Sequence, residues 1–349
     1  MIKKEIFGTL PDKRTVELYT ITNKNNASIS IQTLGGGIVR LFMPDRNGTL
    51  ADVVLGFDNP EYYLDPDLGY QGLLVGRWAN RIRDGRFSID GVEYHTPQNQ
   101  GTWTLHGGGR MSFNLWQVKE YDDQSITLSF LSPDMQDGFP GNMTMTVKYT
   151  LDDNNTLKLE YSVISDKKTV ANPTNHSYFN LSGDPKSIVD DEYLWVNAKT
   201  ATQTDESQLP TGKILDIVGT MMDFTTERTI GSRIDEPFDG IFEGVGYDNN
   251  FCLDKEPREF AKAAHLYDKQ SGRKMEVWTD MPAIQVYSGG WLGKNNTVGK
   301  ANGAVSYRRG VALETQFYPD CLNIDNFYME YVEPNKPFTT TTEFRFSVE

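Results

Sequence analysis

Polar and apolar residues alternate one for one along stretch after stretch of this chain, and that period constrains the fold more than any other feature. Met143, Met145, Val147 and Tyr149 are separated by Thr and Lys. The polar run Asp152-Asp-Asn-Asn155 turns the chain, and Leu157, Leu159, Tyr161 and Val163 take up the alternation again. Ile126, Leu128 and Phe130 form a third run, and Phe344, Phe346 and Val348 a fourth. A period of two puts one set of side chains on each face of an extended strand, so these segments predict antiparallel sheet with one face buried. In Phe87-Ser-Ile-Asp-Gly-Val-Glu-Tyr94 the pair Asp90-Gly91 is the signature of a type I′ hairpin.

Helical signal is thin. Asp58–Leu64 predicts a short helix starting at its proline, and Pro257–Ala264 one helical turn. Gly35-Gly-Gly37 predicts a bend or bulge. The acidic, polar stretch 200–239 is expected to be an elaborate surface insertion, and Cys252 to lie in a buried strand. Strands this numerous require two stacked sheets or a barrel, and residues 1–349 are expected to form a single domain of all-β class.

Several functions are disfavoured by composition. A formal net charge of −14 opposes binding to nucleic acid or anionic membrane. Two cysteines make neither a disulfide framework nor a zinc site, and no acidic cluster has calcium-loop spacing, so no metal and no cofactor is expected. No apolar stretch reaches the ~18 residues of a membrane span, and no apolar segment follows the basic start. A cytoplasmic protein is the default expectation, as a monomer or weak homodimer. Phosphate-binding glycine loops, His-Glu-x-x-His helices, Gly-x-Ser-x-Gly elbows and Cys-x-x-Cys pairs are all missing.

Six peptides hold the candidate chemistry. Gly76-Arg-Trp-Ala-Asn-Arg-Ile-Arg83 contains Arg81, a rigid fork of donors suited to neighbouring hydroxyls. Leu105-His106-Gly107-Gly108 puts a histidine where backbone can approach a ligand closely. His176 lies in Asn172-Pro-Thr-Asn-His-Ser-Tyr-Phe-Asn180, and Asp248 in a turn before an apolar strand in Gly246-Tyr-Asp-Asn-Asn-Phe251. Alternation places Gln285 and Tyr287 on one face of Ala283–Ser288, and turns Glu314 away from the apolar face of Val311–Gln316, towards solvent or a pocket. A histidine and a carboxylate can supply a proton donor and a proton acceptor without metal or cofactor, if the fold brings them together.

Taken together and in this order, the five of them that hold Arg81, His106, His176, Asp248 and Glu314 resemble the aldose 1-epimerase (galactose mutarotase) family over nearly the whole chain. The resemblance implies a large antiparallel β-supersandwich and a small-molecule aldose as substrate. It also implies that His176 is the general acid and Glu314 the general base, with Asn80, Arg81, His106, Tyr178, Asp248 and Gln285 binding sugar. A hexose-6-phosphate 1-epimerase and a non-catalytic sugar-binding protein of the same fold are the alternatives. With reference values of about 6.5 and 4.3, His176 is expected to be protonated and Glu314 ionised in the same productive complex, the anion raising the histidine further. His95 and His265 are expected to lie outside the site.

Overall fold

A computed structural model describes residues 1–238, 246–293 and 297–349. Three antiparallel sheets dominate. The largest has nine strands in the order Gln117–Tyr121, Ser125–Ser132, Met143–Leu151, Thr156–Ser165, Phe338–Val348, Arg273–Thr279, Ala261–Tyr267, Tyr193–Val196 and Arg228–Thr229. Six strands form the second: Tyr178–Phe179, Val311–Gln316, Ala283–Tyr287, Asp248–Cys252, Thr200–Thr204 and Pro210–Asp216. The third is a five-stranded meander from Ile2 to Asp52. Helical turns among the described residues are all 3-10, including Pro60–Leu64, which Asn59 caps. No helix among them is long and apolar enough to cross a membrane.

The alternating runs become the faces of these sheets. Val147, Leu159 and Phe344 from the nine-stranded sheet share one core with Ile284, Val286 and Leu313 from the six-stranded sheet and Ile29 and Leu41 from the meander. The two larger sheets are tied directly: Phe179 meets Phe344 with ring centroids 5.0 Å apart, and the hydroxyls of Thr315 and Thr342 lie 2.5 Å apart. The architecture is the antiparallel β-supersandwich that the family resemblance implies, and of the two forms the period-two pattern allows it takes stacked sheets. The hairpin at Asp90-Gly91 is present, with φ of 50° and 80° as a type I′ turn demands.

Two expectations are corrected. Pro257–Ala264 holds no helical turn: Ala261–Tyr267 is a strand paired on both sides, with Tyr193–Val196 and Arg273–Thr279. The helix preference of alanine, a fraction of a kcal/mol per residue, yields to two ladders of hydrogen bonds. Nor is 200–239 a surface insertion. Two of its segments are strands of the six-stranded sheet and a third joins the nine-stranded sheet, while Met222 and Phe224 enter the core. Its last position, 239, lies outside the described residues.

Candidate active site

The floor of the site is one face of the six-stranded sheet. Antiparallel register sets Gln285 opposite Glu314, Asp248 opposite Tyr287 and Tyr178 opposite Ala312. Because side chains alternate along each strand, these residues share a face, while Phe251, Ile284, Val286 and Leu313 turn the other way into the core. Asp248 Oδ1 accepts a hydrogen bond from Gln285 Nε2 at 2.7 Å.

Loops supply the walls. Asn80 and His106 both have left-handed backbone, φ 65° and 51°, and clamp one another. The His106 amide donates to the Asn80 carbonyl at 3.0 Å, and the Asn80 amide donates to His106 Nδ1 at 3.2 Å. With Nδ1 accepting, the hydrogen of the neutral imidazole sits on Nε2, which therefore offers the cleft a donor. The next residue must be glycine: a Cβ on Gly107, at φ +64°, would meet the Gly76 carbonyl oxygen at 2.5 Å. Arg81 Nη2 donates to Asp248 Oδ2 at 3.2 Å and to Gln208 Oε1 at 2.5 Å. His176 is fixed by backbone bonds from its amide to the Leu73 carbonyl and from the Gly72 amide to its own carbonyl, both 2.9 Å. Aromatic rings hold its imidazole, with Tyr178 at 4.9 Å, His106 at 5.3 Å and Tyr70 at 6.2 Å between centroids.

His176 Nε2 stands 3.5 Å from Glu314 Oε1, and both side chains are buried. Glu314 Oε2 and His176 Nδ1 have no protein partner. Burial strips water from the carboxylate and pushes Glu314 up to about 8; the negative charge of Asp248 adds to this and Arg81 opposes it. The same desolvation pulls His176 down to about 4, against a smaller upward pull from Asp248, and puts His106 well below the ordinary histidine value. The expected rise of His176 is thus corrected. At this depth the cost of desolvating each charge exceeds the attraction between them. Desolvation thus favours the neutral form of both groups.

His106, His176 and Glu314 present ligating atoms within 4.8 Å of one another, close enough to hold a metal ion. The tautomer argues against one. His106 Nε2 carries the hydrogen and has no lone pair to give, which leaves two ligands where a tight site needs three or more.

The cleft has a volume of about 510 Å³, and Asn80, Arg81, His106, His176, Tyr178, Asp248 and Glu314 all line it. Gln285 is buried and reaches the cleft through Asp248. His95 is exposed at a strand end beside Glu93, and His265 bonds Glu227 in the nine-stranded sheet, both outside the cleft. Sequence reasoning missed Tyr70, Trp103, Gln208 and Trp291, which also line it. Trp103 and Trp291 are amphipathic aromatics in loops, a signal compatible with sugar stacking. Gln208 lies in the stretch read as a surface insertion, and nothing local marks it.

Solved structures share this architecture. An aldose epimerase homologue from C. elegans matches with a TM-score of 0.85 at 26% identity, over 95% of this chain and 98% of that one. Galactose 1-epimerase from Lactobacillus acidophilus also gives 0.85, at 25% identity over 100% and 99%. The fold is therefore that of the galactose mutarotase-like β-supersandwiches. Residues 17–345 match the aldose 1-epimerase family, and the chain is 35% identical to galactose mutarotase of Rattus norvegicus over 99% of both chains. It is 30% identical to aldose 1-epimerase of Escherichia coli K12 over 97% of both. The chain belongs to the aldose 1-epimerase family, and it is an isomerase.

Proposed function

We propose that the protein interconverts the α and β anomers of free, unphosphorylated aldoses in pyranose form, with Glu314 as general base and His176 as general acid. Glu314 takes the proton of the anomeric hydroxyl as the C1–ring oxygen bond breaks, and His176 gives a proton to that ring oxygen. The product is the open-chain aldehyde. Rotation about C1–C2 and the reverse transfers close the other anomer. Asn80, Arg81, His106, Tyr178, Asp248 and Gln285 hold the hydroxyls.

The observation that carries this reading is the 3.5 Å approach of His176 Nε2 to Glu314 Oε1 in a buried cleft. The anomeric oxygen and the ring oxygen are both bonded to C1, so an acid and a base set side by side can serve both. Proton accounting supports the same assignment. The reactive pair, carboxylate with imidazolium, has the same number of protons as the neutral pair that burial favours, so it forms by internal transfer. Ring opening then returns Glu314 and His176 to their neutral forms, the state the cleft prefers while the open-chain sugar is bound.

A phosphorylated substrate fits poorly. Among the described residues lining the cleft Arg81 is the sole lysine or arginine, and Asp248 and Gln208 already occupy its Nη2. Asp67, Glu206 and Asp248 line the same space, so a phosphate dianion meets repulsion. Polarimetry on freshly dissolved α-D-glucose and α-D-galactose tests the activity, and kcat/KM for glucose against glucose 6-phosphate tests the substrate class. A mutarotation rate equal to that of buffer alone rejects the reading, and preference for the ester moves the substrate to the phosphorylated class.

A further inference from the structure

The hairpin between strands Thr200–Thr204 and Pro210–Asp216 points its tip into the cleft, where Glu206, Ser207 and Gln208 join the wall. The tip is built to hold one side chain in place. Asp205 Oδ1 accepts from the amides of Ser207 at 2.8 Å and Leu209 at 3.1 Å, and the Gln208 amide donates to the Asp205 carbonyl at 2.9 Å. Gln208 itself has left-handed backbone, φ 62°, a conformation that costs a non-glycine residue on the order of 1 kcal/mol. Arg83 anchors the tip: Nη2 donates to the Pro210 carbonyl at 2.7 Å and lies 3.4 Å from Asp205 Oδ2. Its Nε sits 3.4 Å from Asp320, four residues beyond the strand that carries Glu314.

So held, Gln208 turns its amide oxygen to Arg81 Nη2 at 2.5 Å, beside Asp248 Oδ2 on the same nitrogen. An amide whose oxygen is committed to a guanidinium has its two N–H hydrogens left for something else. The strand carrying Asp248 is two strands from the one carrying Glu314, an offset of about 10 Å between backbones. With the anomeric carbon at Glu314, the Asp248–Arg81–Gln208 corner meets hydroxyls on the far side of the ring, where glucose and galactose differ at one carbon.

We propose that Gln208 is a specificity-determining residue: its amide, pinned on Arg81, hydrogen-bonds the hydroxyl across the ring from C1 and so sets the preference between aldoses that differ in configuration there. The inference rests on the function proposed above and assigns the hairpin tip a part in it. A glutamine suits the position because it extends the Arg81–Asp248 pair without adding a further carboxylate to a cleft already lined by Asp67, Glu206, Asp248 and Glu314.

Two variants separate reading from propping. Gln208→Met keeps the length and removes all hydrogen bonding, while Gln208→Glu keeps the acceptor for Arg81 and removes the N–H donor. Dissociation constants for D-glucose and D-galactose come from quenching of tryptophan fluorescence, since Trp103 and Trp291 line the cleft. Polarimetric kcat/KM is measured beside them. Ratios between the two sugars cancel any difference in active fraction. The expected result is a change of at least about fivefold in the glucose-to-galactose ratio for both variants, in Kd and in kcat/KM, the scale of one lost hydrogen bond. An unchanged ratio in both variants overturns the proposal, as does equal weakening of both sugars. Retention of the wild-type ratio by Gln208→Glu alone also overturns it, because Gln208 would then only prop Arg81. If wild type binds both sugars without interconverting them, the proposed activity fails, and the binding ratios still decide the role of Gln208.

Discussion

The nine-stranded and six-stranded sheets are built from the same alternating pattern and use it differently. Along Met143–Leu151 every second residue is buried and those between are half-exposed, because the second face meets water. Along Ala283–Tyr287 and Val311–Gln316 every residue is buried. There the second face holds Gln285, Tyr287, Glu314 and Gln316, polar groups covered by loops instead of solvent. A polar sheet face in water contributes solubility; the same face under a roof has its charges desolvated and its protonation reset. The difference between scaffold and site lies in what covers the face.

Equivalent substitutions on the two polar faces break or sharpen that contrast. Glu314→Gln and His176→Asn are each expected to lower kcat by at least about 100-fold, the scale of a positioned acid or base. Glu160→Gln, on the solvent face of Thr156–Ser165, is expected to stay within about twofold of wild type. Polarimetry at saturating sugar measures all three. If Glu314→Gln binds sugar normally and keeps most of its kcat, another group is the base.

On the shared apolar core the contrast inverts. Leu159→Ala removes a fully buried side chain beneath the nine-stranded sheet and is expected to cost about 2–5 kcal/mol of stability. Chemical denaturation reads this loss, and the surviving folded fraction is expected to keep its KM. A changed KM would mean that the scaffold sheet shapes the cleft.

The pH dependence follows from the roofed face. Below about 4 both His176 and Glu314 hold protons and no base remains; above about 8 neither does and no acid remains. The expected kcat profile is a bell with limbs near those values, broader than reference pKa values of about 4.3 and 6.5 would give. Stability carries the same signature. Glu314 is raised from 4.5 to about 8, so the contribution of its neutral form is complete below 4.5 and is lost as pH climbs through 8. Glu314→Gln lacks that loss, so its melting temperature is expected to gain on wild type by more than about 2 °C between pH 5 and pH 8.5. A constant gap would mean that Glu314 is ionised throughout.

Much of this was legible in the sequence. Alternation marked Ser125–Ser132, Met143–Leu151, Thr156–Ser165 and Phe338–Val348 of the scaffold sheet, and it also put Glu314 and Gln285 on the polar faces of their strands. It could not say whether those faces met water or a cleft, because the roof comes from residues remote in the chain: Tyr70, Asn80, His106 and the tip at Gln208. Each takes a left-handed backbone, a conformation set by tertiary contacts and not announced by a tyrosine, histidine or glutamine. The corrected protonation has the same origin. Desolvation belongs to the assembled cleft, so reference values for isolated side chains could not report it. The strand Ala261–Tyr267 was missed for a related reason, since local preference for helix is small beside pairing on both edges.

The smallest effect is expected far from the roof, and it isolates backbone conformation from contact. Gly91 in the outer hairpin and Gly107 in the site loop have similar positive φ, +80° and +64°. A Cβ on Gly91 meets nothing within 4 Å, so Gly91→Ala pays only for a left-handed alanine, about 1 kcal/mol. At Gly107 the same methyl would strike backbone atoms of Gly76 and Arg77 and displace His106 with the loop. Denaturation midpoints are expected to show a small loss for Gly91→Ala with kcat/KM unchanged. Gly107→Ala is expected to lose more stability and to raise KM. Equal losses in the two variants would mean that φ alone governs both turns and that the site loop gives way to the methyl without moving His106.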